Sequence, residues 1–190
     1  MEVAMLKLLT RYWWVFGVRS ALAIIYGLFL FISRDLSLYG FVMASGFFIL
    51  TESLLLLIIT FGRDVEKTLM ISIESILGSV IAAVIILGAG VGSMLMPGVT
   101  SVMVPVNIGA WAIMTGALGL IHAASLKSQM QIAWSFMLSS LPVLLCGVWL
   151  IIQKDAGALS HRLLIAAFAV FYGVFQAVMI FKVRSSAPQS

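Results

Sequence analysis

Four ionisable residues of this 190-residue sequence lie inside long apolar stretches, namely Arg19, Glu52, Glu74 and His122. A charged side chain in hydrocarbon costs about 2.5–3.5 kcal/mol on insertion scales, so each of them needs a partner or a function. An arginine beside carboxylates forms ion pairs that tie helices together. Carboxylates that line a wet cavity bind cations or relay protons instead. The sequence leaves both interpretations open for this candidate polar cluster.

The depth of these residues follows from their distance to the ends of the apolar stretches. Arg19 and Glu74 each lie about 10 Å along a helix from the start of a stretch, and Glu52 lies about 15 Å from the matching end of its own. His122 lies only about 6 Å from an end. We therefore expect a solvated or snorkelling imidazole at His122 in preference to a proton relay. All four residues should lie in the same half of a membrane.

Residue sets for catalysis, metal binding or cofactor binding are absent from the sequence. It contains no Ser-His-Asp set, His-Glu-x-x-His motif, phosphate-binding glycine loop or dinucleotide fingerprint. The single cysteine, Cys146, lies in an apolar stretch, and no Cys/His set has the spacing of metal ligands. The sequence predicts a protein that is not an enzyme and has no catalytic residue, cofactor or metal. It does not identify any ligand.

The elements that carry these residues are six apolar stretches. Of all residues, 63% are hydrophobic and 9% are charged, against about 45–50% and 25% in soluble domains. Each stretch is close to the roughly 20 residues that cross a bilayer as a helix. The sequence predicts an all-α, polytopic membrane helix bundle that has the lipid bilayer as its partner. The six predicted helices span about 12–32, 39–62, 68–90, 102–126, 133–152 and 163–183.

The basic residues between the stretches predict the orientation in the membrane. Seven of them flank the side that bears both termini and three flank the opposite side, and cytoplasmic loops are rich in Lys and Arg. Both termini should therefore be cytoplasmic. Topology accounts for the net charge of +4, so we expect no nucleic-acid partner. The two sets are Lys7, Arg11, Arg63, Lys67, Lys127, Lys182 and Arg184, and Arg34, Lys154 and Arg162.

Small residues recur at matching spacings and predict three helical hairpins. Ser20, Ser75 and Ser140 are each followed seven residues later by Gly27, Ala82 and Gly147. In the partner helices, Gly46, Gly109 and Ala166 precede Ser53, Gly116 and Gly173 by seven residues, with the aromatics Phe48, Trp111 and Phe168 between them. We expect one membrane domain over 1–190, with hairpins at about 12–62, 68–126 and 133–184, an uncharged connection at 91–101 and a disordered tail at 185–190.

This layout resembles the HdeD family of bacterial acid-resistance membrane proteins, which have six helices in three hairpins. Serines stand at Ser20, Ser75 and Ser140 where the family usually has glycine, and its turn proline is kept only as Pro97. The resemblance implies a bacterial inner-membrane protein with a role in acid or envelope stress. The matching stretches are Trp13-Trp14 to Gly27, Glu74 to Pro97, Trp111-Ala112-Ile113-Met114-Thr115-Gly116, Trp134 to Gly147, and Phe171-Tyr172-Gly173 to Lys182.

Two functions remain in competition. The resemblance favours a non-enzymatic stress-resistance protein. The intramembrane carboxylates favour a small transporter or channel for ions, protons or small solutes. The sequence leaves open whether the protein forms a homo-oligomer.

Overall fold

The computed structural model describes residues 10–33, 35–61, 69–95, 97–125, 130–153 and 158–186. Over these residues the chain forms six long helices that are long and apolar enough to cross a membrane. This confirms the predicted all-α fold of six membrane-spanning helices. The helices are α1 (Trp13–Ile32), α2 (Leu38–Thr60), α3 (Leu69–Leu95), α4 (Pro97–Ser125), α5 (Met130–Ile152) and α6 (Ala158–Ser186).

The outer surface of the bundle is apolar. Large hydrophobic side chains are exposed along every helix, among them Ile25, Phe47, Ile76, Leu145 and Phe181. A soluble monomer rarely exposes apolar patches larger than a few hundred Å². Lipid must therefore cover this surface, and the protein is a multi-pass membrane protein.

Three predicted boundaries were wrong. The connection expected at 91–101 is largely helical, because α3 continues to Leu95 and α4 begins at Pro97. Proline suits the first turn of a helix, where its missing N–H has no intrahelical partner. Helix α6 begins at Ala158, so Arg162 lies within it, and it continues to Ser186 into the expected tail. Residues 187–190 lie outside the described residues.

The six helices form a ring in chain order that α1 and α6 close. The most extensive packing joins α1 to α6, α2 to α3, and α4 to α5. The two helices of each predicted hairpin pack against each other less extensively. The tight interfaces therefore lie between the predicted hairpins, and the division into hairpins stays a prediction.

The recurring small residues lie at these three tight interfaces. A Cβ added to Gly27 would lie 2.7 Å from the Ala166 carbonyl oxygen, between α1 and α6. A Cβ on Gly147 would lie 2.6 Å from the Gly109 carbonyl oxygen, between α5 and α4. A Cβ added to Gly78 of α3 would collide with the Ser53 hydroxyl of α2. Such small residues let membrane helices approach closely. The ring therefore has an approximate three-fold repeat.

We predict that Gly147→Ala destabilises the protein while Gly17→Ala does not. A methyl group at residue 147 collides with the backbone of α4, whereas nothing lies within 4 Å of a Cβ at Gly17. Overpacking of this kind costs on the order of 1–3 kcal/mol, and an alanine at an open helix position gains up to about 1 kcal/mol over glycine. Thermal unfolding in detergent measures both. Equal midpoints for the two variants would contradict the tight α4–α5 interface.

Candidate functional site

A buried ion-pair cluster joins the first three helices. Arg19 of α1 donates through Nε to Oε2 of Glu52 on α2 at 2.7 Å. Its Nη2 donates to Oε1 of Glu74 on α3 at 3.3 Å. All three side chains are buried. The structure thus brings Arg19 into contact with both carboxylates, and one guanidinium ties three helices together.

Tyr172 and Gln176 of α6 extend this cluster across the closure of the ring. The Tyr172 hydroxyl oxygen accepts a hydrogen bond from Arg19 Nη2 at 3.3 Å and one from Gln176 Nε2 at 2.6 Å. Nearby, the Ser20 hydroxyl donates to the Gly173 carbonyl oxygen at 2.7 Å. These bonds fix the first and last helices to each other at the depth of the charges.

Each helix contributes at least one buried polar residue to a single layer of the bundle. On every helix this residue lies between a member of one apolar cluster and a member of another. The terminal cluster, on the side of the bundle where α1 begins and α6 ends, includes Phe16, Leu56 and Ile71. The distal cluster, on the opposite side, includes Ile49 and Trp111. Apolar clusters therefore pack on both sides of the charges. The polar layer includes Arg19, Glu52, Glu74, Thr115, Ser139 and Gln176.

A polar chamber of about 30 Å³ lies within this layer. In the part of the chain that the structure describes, three buried atoms that belong to its lining residues have no hydrogen-bond partner: Thr115 Oγ1, His122 Nε2 and Gln176 Oε1. Glu74 and Arg19 also line the chamber. A buried polar group without a partner costs about 1–3 kcal/mol. The chamber therefore offers hydrogen bonds to an occupant.

The expectation of a solvated or snorkelling His122 was wrong. This side chain is only 6% exposed, and its ring packs edge-on against Phe136 of α5 at 6.2 Å between centroids. Counting residues from the helix end measures depth but does not show which face of the helix a side chain occupies. His122 faces the chamber together with Glu74 and Arg19.

Thr115, Tyr172 and Gln176 escaped sequence reasoning because none of them carries a charge. The repeat nevertheless contains a signal for two of them. Glu52, Thr115 and Tyr172 each directly precede the second small residue of their helix, which is Ser53, Gly116 and Gly173 respectively. Aligning the three repeats on these small residues places all three polar side chains at one level of the ring.

An apolar cavity of about 50 Å³ lies on the distal side of the polar layer. The recurring aromatics Phe48, Trp111 and Phe168 line it, and Tyr26 stacks on Phe48 with centroids 4.3 Å apart. Tyr172 lines both this cavity and the polar chamber. The centre of the ring therefore changes from polar to apolar at Tyr172.

Two further polar residues of α6 lie at the distal end of the bundle. Arg162 donates through Nη1 to the Ser33 carbonyl oxygen at the end of α1, at 2.7 Å. The His161 Nε2 lies 2.7 Å from the Gln153 carbonyl oxygen at the end of α5. Both side chains are buried. They satisfy carbonyl groups at helix C-termini, where positive charge is favourable. Arg162 is therefore a capping residue and not the exposed loop charge that we expected.

The arrangement concentrates buried charge in the polar layer. Two carboxylates against one guanidinium leave one negative charge uncompensated when both are ionised. Among the described residues, no group of three or more His, Cys, Asp and Glu could hold a metal ion. The chamber favours a small occupant that is positively charged or donates hydrogen bonds.

We predict that Arg19→Gln destabilises the protein far more than Glu52→Gln. Removing the guanidinium leaves two buried carboxylates without a counter-charge, which costs about 3–5 kcal/mol. Glu52→Gln leaves a neutral Arg19–Glu74 pair, so the loss should be about 1–3 kcal/mol. Thermal unfolding in detergent gives the ranking, with exposed Arg11→Gln as the matched control. The interpretation fails if Arg19→Gln and Arg11→Gln unfold at the same temperature.

Part of the chain matches a known family of repeats. Residues 81–152 match the family described as a short repeat of unknown function, DUF308. The matched segment contains the tightly packed α4–α5 pair and the second half of α3. No curated protein and no solved structure matches the chain. Over this segment the chain is therefore similar to a repeat family of unknown function, within a protein of six membrane-spanning helices.

Proposed function

We propose that this protein is a non-enzymatic bacterial inner-membrane protein of the HdeD type that acts in acid or envelope stress resistance, with both termini in the cytoplasm. The observation that carries the proposal is the repeat match over residues 81–152. It covers most of the middle predicted hairpin and the first helix of the third, two of the three hairpins from which the resemblance to the HdeD family was inferred. The approximate three-fold repeat of the ring gives the same support at the level of packing.

The proposal of a non-enzymatic role rests on how the buried charges are used. Arg19 pairs with Glu52 and Glu74, and apolar clusters enclose these residues on both sides. Charges held in this way tie helices together, and this role requires no reactive group. A stress role then requires that the bundle itself persists in the membrane under acid.

A deletion strain should lose survival under acid and envelope stress, and a plasmid copy should restore it. We expect the Arg19→Gln variant to restore survival less than the unaltered protein, because the ring loses its central ion pairs. Colony counts after acid challenge measure the effect, with exposed Arg11→Gln as the matched control. Membrane levels of each variant are measured by immunoblot. Unchanged survival of the deletion strain under both stresses would contradict the proposal.

A second candidate function is transport of ions, protons or small solutes through the ring. The polar chamber favours it, because an ionised cluster at membrane depth often marks a transport path. The three hairpins start on the same side of the membrane and would be parallel repeats about an axis along its normal. Many alternating-access carriers use inverted repeats instead. A channel-like path with hydrophobic seals therefore fits this ring better than a rocking carrier.

If the ring conducts, Glu74→Gln should lower flux at least about tenfold, because a charge that faces the chamber is lost. Flux of protons and monovalent ions is measured in proteoliposomes with pH- and ion-sensitive dyes. Thr51→Val, on the exposed face of α2, is the control for reconstitution. Flux that is indifferent to both Glu52→Gln and Glu74→Gln would exclude a carboxylate-dependent path.

A further inference from the structure

The lining of the polar chamber divides into an ion-paired half and an unsatisfied half. Outside the lining, Glu52 Oε1 also has no hydrogen-bond partner among the described residues. On the side of α1 to α3, the Arg19 guanidinium bonds to Glu52, Glu74 and Tyr172. On the side of α4 to α6, the three unpartnered atoms are contributed by Thr115, His122 and Gln176, each about 95% buried. Buried polar groups normally have partners in the protein or in bound molecules. The unsatisfied half therefore points to an occupant.

The unpartnered atoms and Glu74 form a set of hydrogen-bond acceptors. Gln176 uses its amide nitrogen on Tyr172, so its Oε1 can only accept. A threonine hydroxyl and a neutral imidazole nitrogen can both accept, and the Glu74 carboxylate accepts when ionised. The lining thus supplies four acceptors: Glu74, Thr115 Oγ1, His122 Nε2 and Gln176 Oε1.

The net charge of the ion-pair cluster favours a cation as the occupant of the chamber. Glu52 and Glu74 outnumber the Arg19 guanidinium by one negative charge when both are ionised. A net charge enclosed by hydrocarbon attracts a counter-charge strongly, because the local dielectric is low. A monovalent cation in the chamber would neutralise the cluster, whereas an anion or a divalent cation would leave it charged.

Size restricts the cation further. The chamber has a volume of about 30 Å³, and one water-sized particle needs about 10–15 Å³ of such space. One small ion therefore fits, with one or two water molecules beside it. Organic cations and metabolites are too large for the chamber as it stands.

The type of acceptor separates ammonium from alkali ions. Hard metal cations take oxygen ligands, and the imidazole nitrogen of His122 is a poor ligand for them. An ammonium ion has four N–H donors, is close to water in size, and donates equally well to nitrogen and oxygen. We propose that the chamber is a binding site for one ammonium ion, held by Glu74, Thr115, His122 and Gln176. The site does not depend on the stress role or on flux, because it requires binding alone.

Thermal unfolding of the purified full-length protein in detergent tests the proposal. Ammonium chloride, sodium chloride and tetramethylammonium chloride are each titrated at constant total ionic strength and at neutral pH. A ligand that binds only the folded state raises the midpoint with its concentration. We expect a saturable rise with ammonium alone. Equal curves for ammonium and sodium, or no salt-specific rise, would overturn the site and leave water as the occupant.

A matched pair of threonine variants locates the binding. Thr115→Val removes one acceptor from the chamber, and a lost hydrogen bond to a charged group should weaken ammonium binding about tenfold or more. Thr51→Val makes the same change on the exposed face of α2 and should leave the titration unaltered. Thr115→Ser keeps the hydroxyl and should retain binding. Equal titrations for Thr115→Val and Thr51→Val would overturn the assignment. If Thr115→Val does not fold, the ion selectivity of the unaltered protein and of Thr115→Ser decides.

Discussion

The bridge from one guanidinium to two carboxylates is the interaction on which the rest of the bundle depends. Arg19 cannot lie in hydrocarbon alone, and Glu52 and Glu74 cannot either. Their contact draws α1, α2 and α3 together at one depth. The Tyr172 hydroxyl accepts a hydrogen bond from Arg19 and so links the last helix, α6, to the first, α1. The apolar clusters on both sides make the surroundings less polar and so strengthen these interactions.

Around this centre the packing of the helices has an approximate three-fold repeat, whereas the polar side chains that face the centre differ between the repeats. The small residues repeat at all three tight interfaces, so the backbone has an approximate three-fold form. The polar layer breaks that symmetry, because equivalent positions carry Arg19, Glu74 and Ser139 on the odd helices and Glu52, Thr115 and Tyr172 on the even ones. Charge is concentrated on one side of the axis and unsatisfied neutral polar atoms on the other. A repeated scaffold with divergent inner side chains can thus acquire a site without changing its fold.

Much of this fold could be predicted, since length and apolar composition are enough to identify six spans. The ion-pair residues could be found for the same reason, because charge in an apolar stretch requires an explanation. Helix ends near Pro97 could not be placed, as that segment has no charge to mark the membrane surface. His122 and Arg162 were misjudged because burial depends on neighbouring helices and not on position along the chain. Neutral polar residues such as Thr115 and Gln176 gain meaning only from the chamber around them.

The pairing of Arg19 with Glu52 also bears on how the chain enters the membrane. Helices α1 and α2 are synthesised before α3 to α6, and each contains one half of an ion pair, so the two charges can neutralise each other before the later helices are present. When α3 enters the membrane, Glu74 can then pair with the Arg19 guanidinium that is already there. Tyr172 arrives last, on the helix that closes the ring. The order of the polar residues along the chain therefore matches the order in which a growing polypeptide needs them, and no charge has to wait alone in lipid for the final helix.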